Sequence, residues 1–373
     1  MHIVYCIPAI SASGGMERVV ISKANYFVDH GYEVSVITTD QTETKNFFSL
    51  DSRVQHYDLG IKYYKNSHRA LLSKVYYYLV NRRQHKSKLT KLLNKLRADV
   101  VVSVFMNEMS ILPYINDGSK KVLEFHFSRP IFNIKRRKGL KGLLDKMQER
   151  LDVRHIRSYD SFVVLTEEDR RNWSELSNVS VIHNASTYSN VSANSKRDLD
   201  AIAVGRYTSQ KGFANLLEVW WHLKGEYKLY IYGEGELHDN LEHKIRELNL
   251  TDRVYLMGAS KDIRTVFERA SLLVMTSLYE GLPMVMIEAQ TCGVPIVTYD
   301  FPCGPKDVIT NGYDGYIIPW GEQELMANKI SEVLDDVNLW QEMSLRAKES
   351  AKKFSPDTIM TQWCELFEEI ISK

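Results

Sequence analysis

The sequence predicts two doubly wound α/β domains, each built on a parallel β-sheet that helices cover on both faces. Short apolar, β-branched runs alternate with longer amphipathic helical patterns along the chain. The runs form two successive series, separated by a polar stretch rich in Ser and Asn. Because strand–helix alternation is typical of parallel sheets, two series predict two domains.

Each series contains six predicted strands, which are apolar and end in polar or turn residues. The first six span residues 2–10, 33–39, 99–105, 121–127, 160–166 and 179–183. The second six span residues 200–207, 228–235, 253–258, 271–277, 295–300 and 315–320. Helical patterns at 323–336, 338–353 and 357–371 close the chain.

These patterns divide the chain into four parts. Residues 1–185 form the first domain and residues 199–355 the second. The polar stretch 186–198 has almost no large apolar residues and is the predicted linker. Residues 356–373 are expected to form a C-terminal helix that packs back on the first domain.

The composition is typical of a globular protein without disulfides. Of 373 residues, 44% are hydrophobic and 25% charged. Four scattered cysteines without a CxxC pair argue against a disulfide framework and a structural zinc site, and fit a reducing compartment. The apolar start of the chain lacks a basic segment, which favours a buried strand over a signal peptide.

The net charge of +1 hides a strong asymmetry between the two halves. Residues 1–185 carry 29 Lys and Arg against 19 Asp and Glu, whereas residues 186–373 carry 19 against 28. A basic half suits nucleic acid, anionic lipid or a phosphorylated substrate, and composition does not choose among them. We do not expect nucleic acid, because no nucleic-acid-binding module is visible and the basic residues fall in helices away from the strand-end loops.

Ligands of open parallel sheets bind beyond the carboxyl ends of the strands, so the loops there are the candidate sites. Gly14 and Gly15, followed by Glu17, stand between the first strand and a helix. Glycines let the backbone approach a ligand, and a helix N-terminus favours an anion. The alternative is a tight strand-to-helix turn with no ligand.

Two cations follow the first strand of the second domain. Arg206 and Lys211 are five residues apart in the segment Gly205–Gly212. An Arg fork and a Lys point charge at one strand end can converge on a diphosphate. The alternative is a pair of solvated surface cations.

Two carboxylates, Glu280 and Glu288, lie on either side of Leu282, Pro283 and Met284. Pro283 suits the first turn of a helix, whose free N–H groups would face a ligand. Carboxylates placed in this way accept hydrogen bonds from the hydroxyl pairs of sugars and ribose. The alternative is a helix-entry acid followed by a solvated one.

Two further motifs have weaker implications. His126 follows the strand 121–125, and a single His at a strand end is more often structural than catalytic. The segment Tyr232–Gly235 is a partial GxG fingerprint without the third glycine, which argues against nicotinamide or flavin binding.

Taken together and in this order, these loops resemble the retaining glycosyltransferases of the GT-B fold, family 4. The most specific part is the pair Glu280 and Glu288 with Gly-Leu-Pro between them. Next come Gly205-Arg206 with Lys211-Gly212, and then Gly14-Gly15 with Glu17. The resemblance implies two Rossmann-like domains facing each other across a cleft, the first binding the acceptor and the second a nucleotide sugar.

The resemblance also implies a role for each residue. Arg206 and Lys211 would hold the donor diphosphate, together with backbone N–H groups at Gly14, at Gly15 and near Pro283. Glu288 would bind the ribose. Glu280 and the backbone of Leu282 to Met284 would bind the transferred sugar, with His126 near the reacting centre.

The implied reaction moves a hexose or N-acetylhexosamine from a UDP-sugar to a glycan or a polyprenyl-diphosphate-linked saccharide. The segment 300–309 looks like members that transfer galactose or N-acetylgalactosamine in surface-polysaccharide or lipid-linked oligosaccharide assembly. No Asp-x-Asp is placed to hold a metal on the diphosphate, so no metal or other cofactor is expected. The alternative activity is a sugar-nucleotide epimerase on the same fold.

A basic window predicts attachment to the cytoplasmic face of an anionic membrane. Residues 62–97 contain eleven Lys and Arg and no acid, and a second basic run spans 135–138. The candidate membrane or acceptor contacts are Arg82, Arg83, Lys86, Lys135, Arg136 and Arg137. The alternative is a set of helices packed by their leucines, with a solvated positive face.

Overall fold

Two parallel β-sheets organise the chain in the computed structural model, which describes residues 1–12, 14–41, 46–63, 71–134, 137–188 and 197–373. Each sheet belongs to its own compact unit. The first unit comprises Met1–Leu165, Arg170–Ile182 and Met360–Lys373. The second comprises Thr166–Asp169 and His183–Ile359.

The first unit contains a seven-stranded sheet in the order β3-β2-β1-β4-β5-β6-β7, with every pair parallel. Its strands are β1 His2–Ile7, β2 Glu33–Thr38, β3 Gln55–Asp58, β4 Val100–Val104, β5 Lys120–Phe125, β6 Ser161–Val164 and β7 Val179–Val181. The first five helices are α1 Gly15–Asp29, α2 Leu71–Leu96, α3 Pro130–Ile134, α4 Leu140–Ile156 and α5 Glu167–Asn172.

The second unit contains a six-stranded sheet in the order β10-β9-β8-β11-β12-β13, again parallel throughout. Its strands are β8 Leu199–Val204, β9 Leu229–Tyr232, β10 Val254–Gly258, β11 Ala270–Met275, β12 Ile296–Tyr299 and β13 Gly315–Ile318. The remaining helices are α6 Phe213–His222, α7 His238–Glu247, α8 Ile263–Arg269, α9 Met284–Thr291, α10 Pro305–Val308, α11 Gln323–Asp335, α12 Val337–Ala351 and α13 Pro356–Ser372.

The predicted α/β class is confirmed, and all twelve predicted strands have a counterpart in the structure. Several end earlier than predicted. The first stops at Ile7 because Pro8 has no N–H to donate to the ladder. One strand, β3, is not among the predicted strands. It is a polar edge strand without an apolar face, so no periodic pattern marks it in the sequence. The middle of the predicted linker, residues 189–196, lies outside the described residues.

A buried ion pair joins α1 to β5 in the first unit. Lys23 Nζ lies 2.5 Å from Glu124 Oε2, and both residues are at most 2% exposed. The ring of Trp363, on the part of α13 that belongs to this unit, has its centroid 4.3 Å from the same ammonium. Burial by itself would raise the pKa of Glu124, but the positive charges of Lys23 and His126 outweigh it and lower that pKa to about 2. Burial acts on Lys23 in the opposite direction and lowers the pKa of its ammonium, against the attraction of Glu124.

A second buried group of titratable residues follows β4. Glu108 is 1% exposed, and neither of its carboxyl oxygens has a hydrogen-bond partner among the described residues. His85 of α2 has its Nε2 3.7 Å from Glu108 Oε1, and its Nδ1 is 3.1 Å from the hydroxyl of Tyr63. Burial raises the pKa of Glu108 to about 7 and lowers the pKa of His85 to about 4. Both groups are thus favoured in their uncharged forms.

Stability should therefore depend on pH through Glu108. Its pKa is raised in the folded state, so the stability it contributes is complete below about pH 4.5 and is lost as pH rises through 7. The variant Glu108→Gln stays neutral throughout. Relative to the wild type it should gain roughly 3 kcal/mol in free energy of unfolding between pH 4.5 and 8, measured by denaturant titration.

The matched control is Glu365→Gln, because Glu365 is a solvent-exposed glutamate in the same unit. That variant should keep a constant stability difference from the wild type over the same range. The titration of His85 is common to all three proteins and largely cancels in the comparison. A pH-independent difference for Glu108→Gln would contradict the assignment.

Candidate functional site

The order of the strands marks one crevice in each sheet. In the first sheet β1 and β4 are neighbours, but the chain continues from β1 towards one edge of the sheet and from β4 towards the other. In the second sheet β8 and β11 are arranged in the same way. Ligands of such sheets bind outside the carboxyl ends of these central strands. The Gly14-Gly15 turn follows β1, the Arg206 and Lys211 loop follows β8, and the Glu280 loop follows β11. The predicted loops thus lie at the crevice position of their own sheet.

Lys211 and Glu280 form an ion pair between the loops that follow β8 and β11. Lys211 Nζ donates to Glu280 Oε1 at 2.7 Å, and the two side chains are 17% and 11% exposed. Gln210, the residue before Lys211, donates from Nε2 to the Tyr279 carbonyl at 3.0 Å. Its own carbonyl accepts from the Leu278 N–H at 2.8 Å. The two loops are therefore held together by one ion pair and by backbone-directed hydrogen bonds.

Glycines lie where these loops approach each other, and two of them leave room for backbone oxygens. A Cβ on Gly205 would lie 2.8 Å from Cε of Lys211, so the lysine stem crosses directly over this residue. Gly212 has φ +64, and a Cβ there would lie 2.1 Å from the Thr276 carbonyl oxygen. A Cβ on Gly233 would lie 1.9 Å from the Gly205 carbonyl oxygen. The partial GxG fingerprint after β9 is therefore explained by backbone packing against the loop that carries Lys211.

The helix α9 begins immediately after the Gly-Leu-Pro turn. Pro283 is its N-cap residue and Met284 is its first helical residue. The helix therefore begins one residue later than predicted, since Pro283 was expected in its first turn. The first N–H groups of a helix have no partner within it, so this end is suited to bind an anion or an acceptor oxygen. A Cβ on Gly304 would lie 2.6 Å from Pro283 Cδ, so the loop after β12 packs against the same turn.

Glu288 and Arg206 differ strongly in their exposure. Glu288 is 2% exposed, and its Oε1 accepts a hydrogen bond of 2.8 Å from the hydroxyl of Thr187. No sequence pattern marks Thr187, because the contact spans 101 residues and Thr187 lies in the polar stretch between the domains. Arg206 is exposed to solvent. One carboxylate is thus fixed in position and one cation is free to reach a ligand.

In the first unit, the turn after β1 carries its own negative charge. Gly14 is the N-cap of α1 and Gly15 its first residue. A Cβ on Gly14 would lie 2.1 Å from Oε2 of Glu17, so this carboxylate packs against the backbone at the helix N-terminus. The carboxylate of Glu17 therefore lies beside the turn at which the pattern predicts an anion, and no side chain caps the helix there.

His126 lies next to the buried ion pair. Its Nε2 is 3.4 Å from Glu124 Oε1 and has no hydrogen-bond partner among the described residues. Its side chain is 7% exposed. The imidazole thus lies beside the Lys23–Glu124 pair at the carboxyl end of β5.

The predicted basic contacts fall into three groups. Arg83 and Lys86 are exposed on α2. Arg82 is half-buried and donates to the Ser110 carbonyl at 3.1 Å, and Arg137 is paired with Asp145 at 2.5 Å. These two are held by the protein itself and are not simply solvated cations. Lys135 and Arg136 lie outside the described residues.

The two halves of α2 differ in how they pack. Leu89 and Leu93 of the second half are fully buried, which agrees with a helix packed by its leucines. In the first half, Tyr76, Leu79 and Val80 are 63%, 53% and 41% exposed. The helix therefore presents apolar side chains to solvent one to two turns before its exposed cations.

Two kinds of feature are absent from the part of the chain that the structure describes. They contain no group of three or more His, Cys, Asp or Glu that could hold a metal ion. None of the helices described is both long and apolar enough to cross a membrane.

Two parallel-sheet units with these loops define a class of protein, the glycosyltransferases of the GT-B fold. A solved structure of TarM from S. aureus matches this chain with a TM-score of 0.79, over 98% of this chain and 99% of that one. At 17% sequence identity, this likeness shows the fold alone.

Two family models together cover most of the sequence. The model described as Glycosyltransferase Family 4 matches residues 13–185, and the model described as Glycosyl transferases group 1 matches residues 185–354. The two halves of the chain thus belong to these two families, and the chain is a glycosyltransferase. The family and the fold of the resemblance are confirmed, whereas the retaining mechanism stays a prediction.

Two curated relatives are similar over nearly their whole length. The amylovoran biosynthesis glycosyltransferase AmsD of Erwinia amylovora is 27% identical over 96% of this chain and 97% of its own. The second is an α-1,4-N-acetyl-D-galactosaminyltransferase of Campylobacter jejuni, whose name specifies an undecaprenol-diphosphate-linked acceptor. It is 25% identical over 99% of both chains.

The close approach at Gly212 leads to a stability prediction. In Gly212→Ala, a strained left-handed residue would also clash with the Thr276 carbonyl, so the backbone of one loop must move. We expect a loss of ~3 kcal/mol or more in free energy of unfolding, measured by denaturant titration. Gly312→Ala is the matched control, because Gly312 has φ +76 and no atom lies within 4 Å of its added Cβ. It should lose only ~1 kcal/mol; equal losses would show that the contact is unimportant.

Proposed function

We propose that the protein is a retaining glycosyltransferase that moves a hexose or N-acetylhexosamine from a UDP-sugar to a saccharide acceptor. The acceptor is a glycan or a saccharide on a polyprenyl diphosphate. The observation that carries this proposal is the ion pair of Lys211 and Glu280 at the carboxyl ends of β8 and β11. A cation and a carboxylate at neighbouring strand ends suit the diphosphate and the sugar of such a donor.

The ion pair leaves both groups able to bind a ligand. An ammonium has three N–H donors, and Lys211 uses one of them on Glu280. The others can reach a phosphate oxygen, while Glu280 accepts hydrogen bonds from hydroxyls of the transferred sugar. Because the two groups are 2.7 Å apart, the bond between sugar and phosphate would lie close to both.

Catalysis then depends on charge. As the nucleoside diphosphate leaves the anomeric carbon, negative charge grows on its β-phosphate and positive charge on the sugar ring. The negative charge is stabilised by Lys211, by the exposed Arg206 and by the N-terminus of α9. The positive charge on the sugar is stabilised by Glu280. Glu280 already offsets part of the charge of Lys211, so Arg206 supplies the additional cation that the diphosphate needs. Glu288, held by Thr187, binds the ribose.

Retention and independence of metal complete the mechanism. We propose attack on the same face of the sugar from which the diphosphate leaves, with the departing phosphate taking the acceptor proton. The Campylobacter relative, named as an α-1,4-transferase, supports this, since an α-linked donor giving an α product is retention. Support for UDP comes from TarM, whose solved structure contains UDP. The cations and the helix N-terminus take the place of a metal on the diphosphate.

We further propose that the first unit binds the acceptor and attaches to the cytoplasmic face of an anionic membrane. Apolar Tyr76, Leu79 and Val80 suit the interface between headgroups and acyl chains, and Arg83 and Lys86 suit anionic headgroups. A lipid-linked acceptor would be reached from such a position.

The test of the function is a release assay. UDP release is measured over a panel of UDP-sugars, with and without polyprenyl-diphosphate-linked saccharides, and the anomer of the product is determined. Release of UDP that depends on the acceptor and gives an α product supports the proposal. Interconversion of UDP-sugars without release would instead identify an epimerase. Turnover that is lost in EDTA and restored by Mg²⁺ or Mn²⁺ would refute the metal-free mechanism.

Substitution of either cation should depress turnover far more than stability. Removing one group that stabilises charge in a transition state typically costs ~10²–10³ in rate, and we expect this for Lys211→Ala and for Arg206→Ala. The control is Lys244→Ala, because Lys244 also pairs with a glutamate, Glu218, but between helices α6 and α7. It should retain the wild-type turnover. Near-normal turnover in both loop variants would exclude the diphosphate role.

Vesicle binding should depend on the exposed cations of α2. The double variant Arg83→Glu, Lys86→Glu removes two cations worth about 1 kcal/mol each, so binding to anionic vesicles should weaken by roughly 30-fold or more. Arg82 is left in place because it also holds the Ser110 carbonyl. The control Lys224→Glu, Lys261→Glu makes the same change of charge on exposed residues of the second unit. Sedimentation at low salt measures both, and equal binding by the two variants would refute the assigned surface.

A further inference from the structure

A cavity of about 370 Å³ lies in the first unit at the carboxyl ends of β4 and β5. Phe105 follows β4, Phe125 ends β5, and Phe127 follows two residues later, with His126 between them in the chain. Its size falls in the ~300–1,000 Å³ range of small-molecule sites. Its position is that expected for a ligand of a parallel sheet.

One wall of the cavity is aromatic and rigid. Phe125 packs against Phe105 with ring centroids 4.7 Å apart, against Phe132 at 6.1 Å and against Trp173 at 5.7 Å. Phe127 contacts Phe125 at 6.0 Å and is 39% exposed. The wall therefore presents fixed apolar ring surfaces, one of which a ligand can reach.

The other wall is polar and comes mainly from α4. It contains the carboxylates of Asp145, Glu149 and Asp152, together with Gln148 and Arg137. Asp145 is paired with Arg137, and Asp152 accepts from Gln148 Nε2 at 2.8 Å. Burial raises the pKa of Asp152. Glu149 is also paired with Arg129 at 3.6 Å, so two of the three carboxylates have an arginine partner. The wall therefore offers hydrogen-bond acceptors with little net charge, which suits a neutral ligand that donates hydroxyl groups.

We propose that this cavity binds one pyranose ring of the saccharide acceptor. The apolar face of the ring lies on the Phe127 side, and its hydroxyls donate to the carboxylates of α4. A pyranose has these two kinds of surface, whereas a polyprenyl chain would place hydrocarbon against Asp145 and Glu149. This inference rests on the proposed transfer to a saccharide and names the part of the first unit that selects the acceptor.

Saturation-transfer NMR on the full chain tests the cavity directly. The probes are the methyl α-glycosides of galactose, N-acetylgalactosamine, glucose and N-acetylglucosamine, with farnesol as a lipid-chain probe. We expect at least one glycoside to receive saturation on the protons of one ring face. The affinity for that glycoside should fall roughly tenfold or more in Phe127→Ala, since an aromatic contact surface is lost. It should be unchanged in Phe47→Ala, which removes a phenylalanine that is 67% exposed and lies outside the cavity.

Three outcomes would overturn the assignment. They are no transfer to any of the four glycosides, transfer that Phe127→Ala does not diminish, and transfer to farnesol alone that depends on Phe127. A parallel titration with UDP separates this inference from the proposed function. UDP binding without glycoside binding removes the acceptor cavity alone, whereas failure to bind UDP removes the donor proposal whatever the glycosides do.

Discussion

Parallel pairing of the strands is the constraint on which the rest of the structure depends. Every strand pair among the described residues is parallel, so all carboxyl ends within a sheet meet at one edge. In the second unit this brings the loops after β8, β9 and β11 together, and one contact between them spans 70 residues. The loops come so close that a Cβ on Gly212 or on Gly233 would meet backbone oxygens. Lys211 and Glu280 form their ion pair at this close approach.

The protein uses two lysine–glutamate pairs in opposite ways. Lys23 and Glu124 are buried completely, and the ring of Trp363 packs against the ammonium, so the pair fixes α1, β5 and α13 within one unit. Breaking such a pair would leave an uncompensated buried charge. Lys211 and Glu280 are partly exposed, and each keeps unused hydrogen-bonding capacity. The first pair therefore stabilises the fold, and the second is suited to bind a ligand.

Charge is distributed unevenly within the first unit as well as between the two halves of the chain. Arg83 and Lys86 are exposed on α2, whereas Asp145 and Asp152 on α4 line an aromatic cavity. Under the proposed function, a diphosphate suits the cations of α2 and a neutral sugar ring suits the cavity beside α4. One lipid-linked saccharide has both groups, so a single acceptor could use both surfaces. Net charge alone does not show this division, because it adds the two surfaces together.

The sequence by itself determined the two-domain α/β class and twelve of the strands. It also determined the loops that carry Arg206, Lys211, Glu280 and Glu288. These features follow from apolar periodicity and from Gly or Pro at turns, which are local properties of the chain. It did not determine β3, whose edge position leaves no apolar pattern. Nor could it show that Glu17 packs at its own helix N-terminus, that Arg82 holds a carbonyl, or that Thr187 bonds to Glu288. Those outcomes depend on how side chains pack and how distant segments meet, and only the tertiary structure brings the groups together.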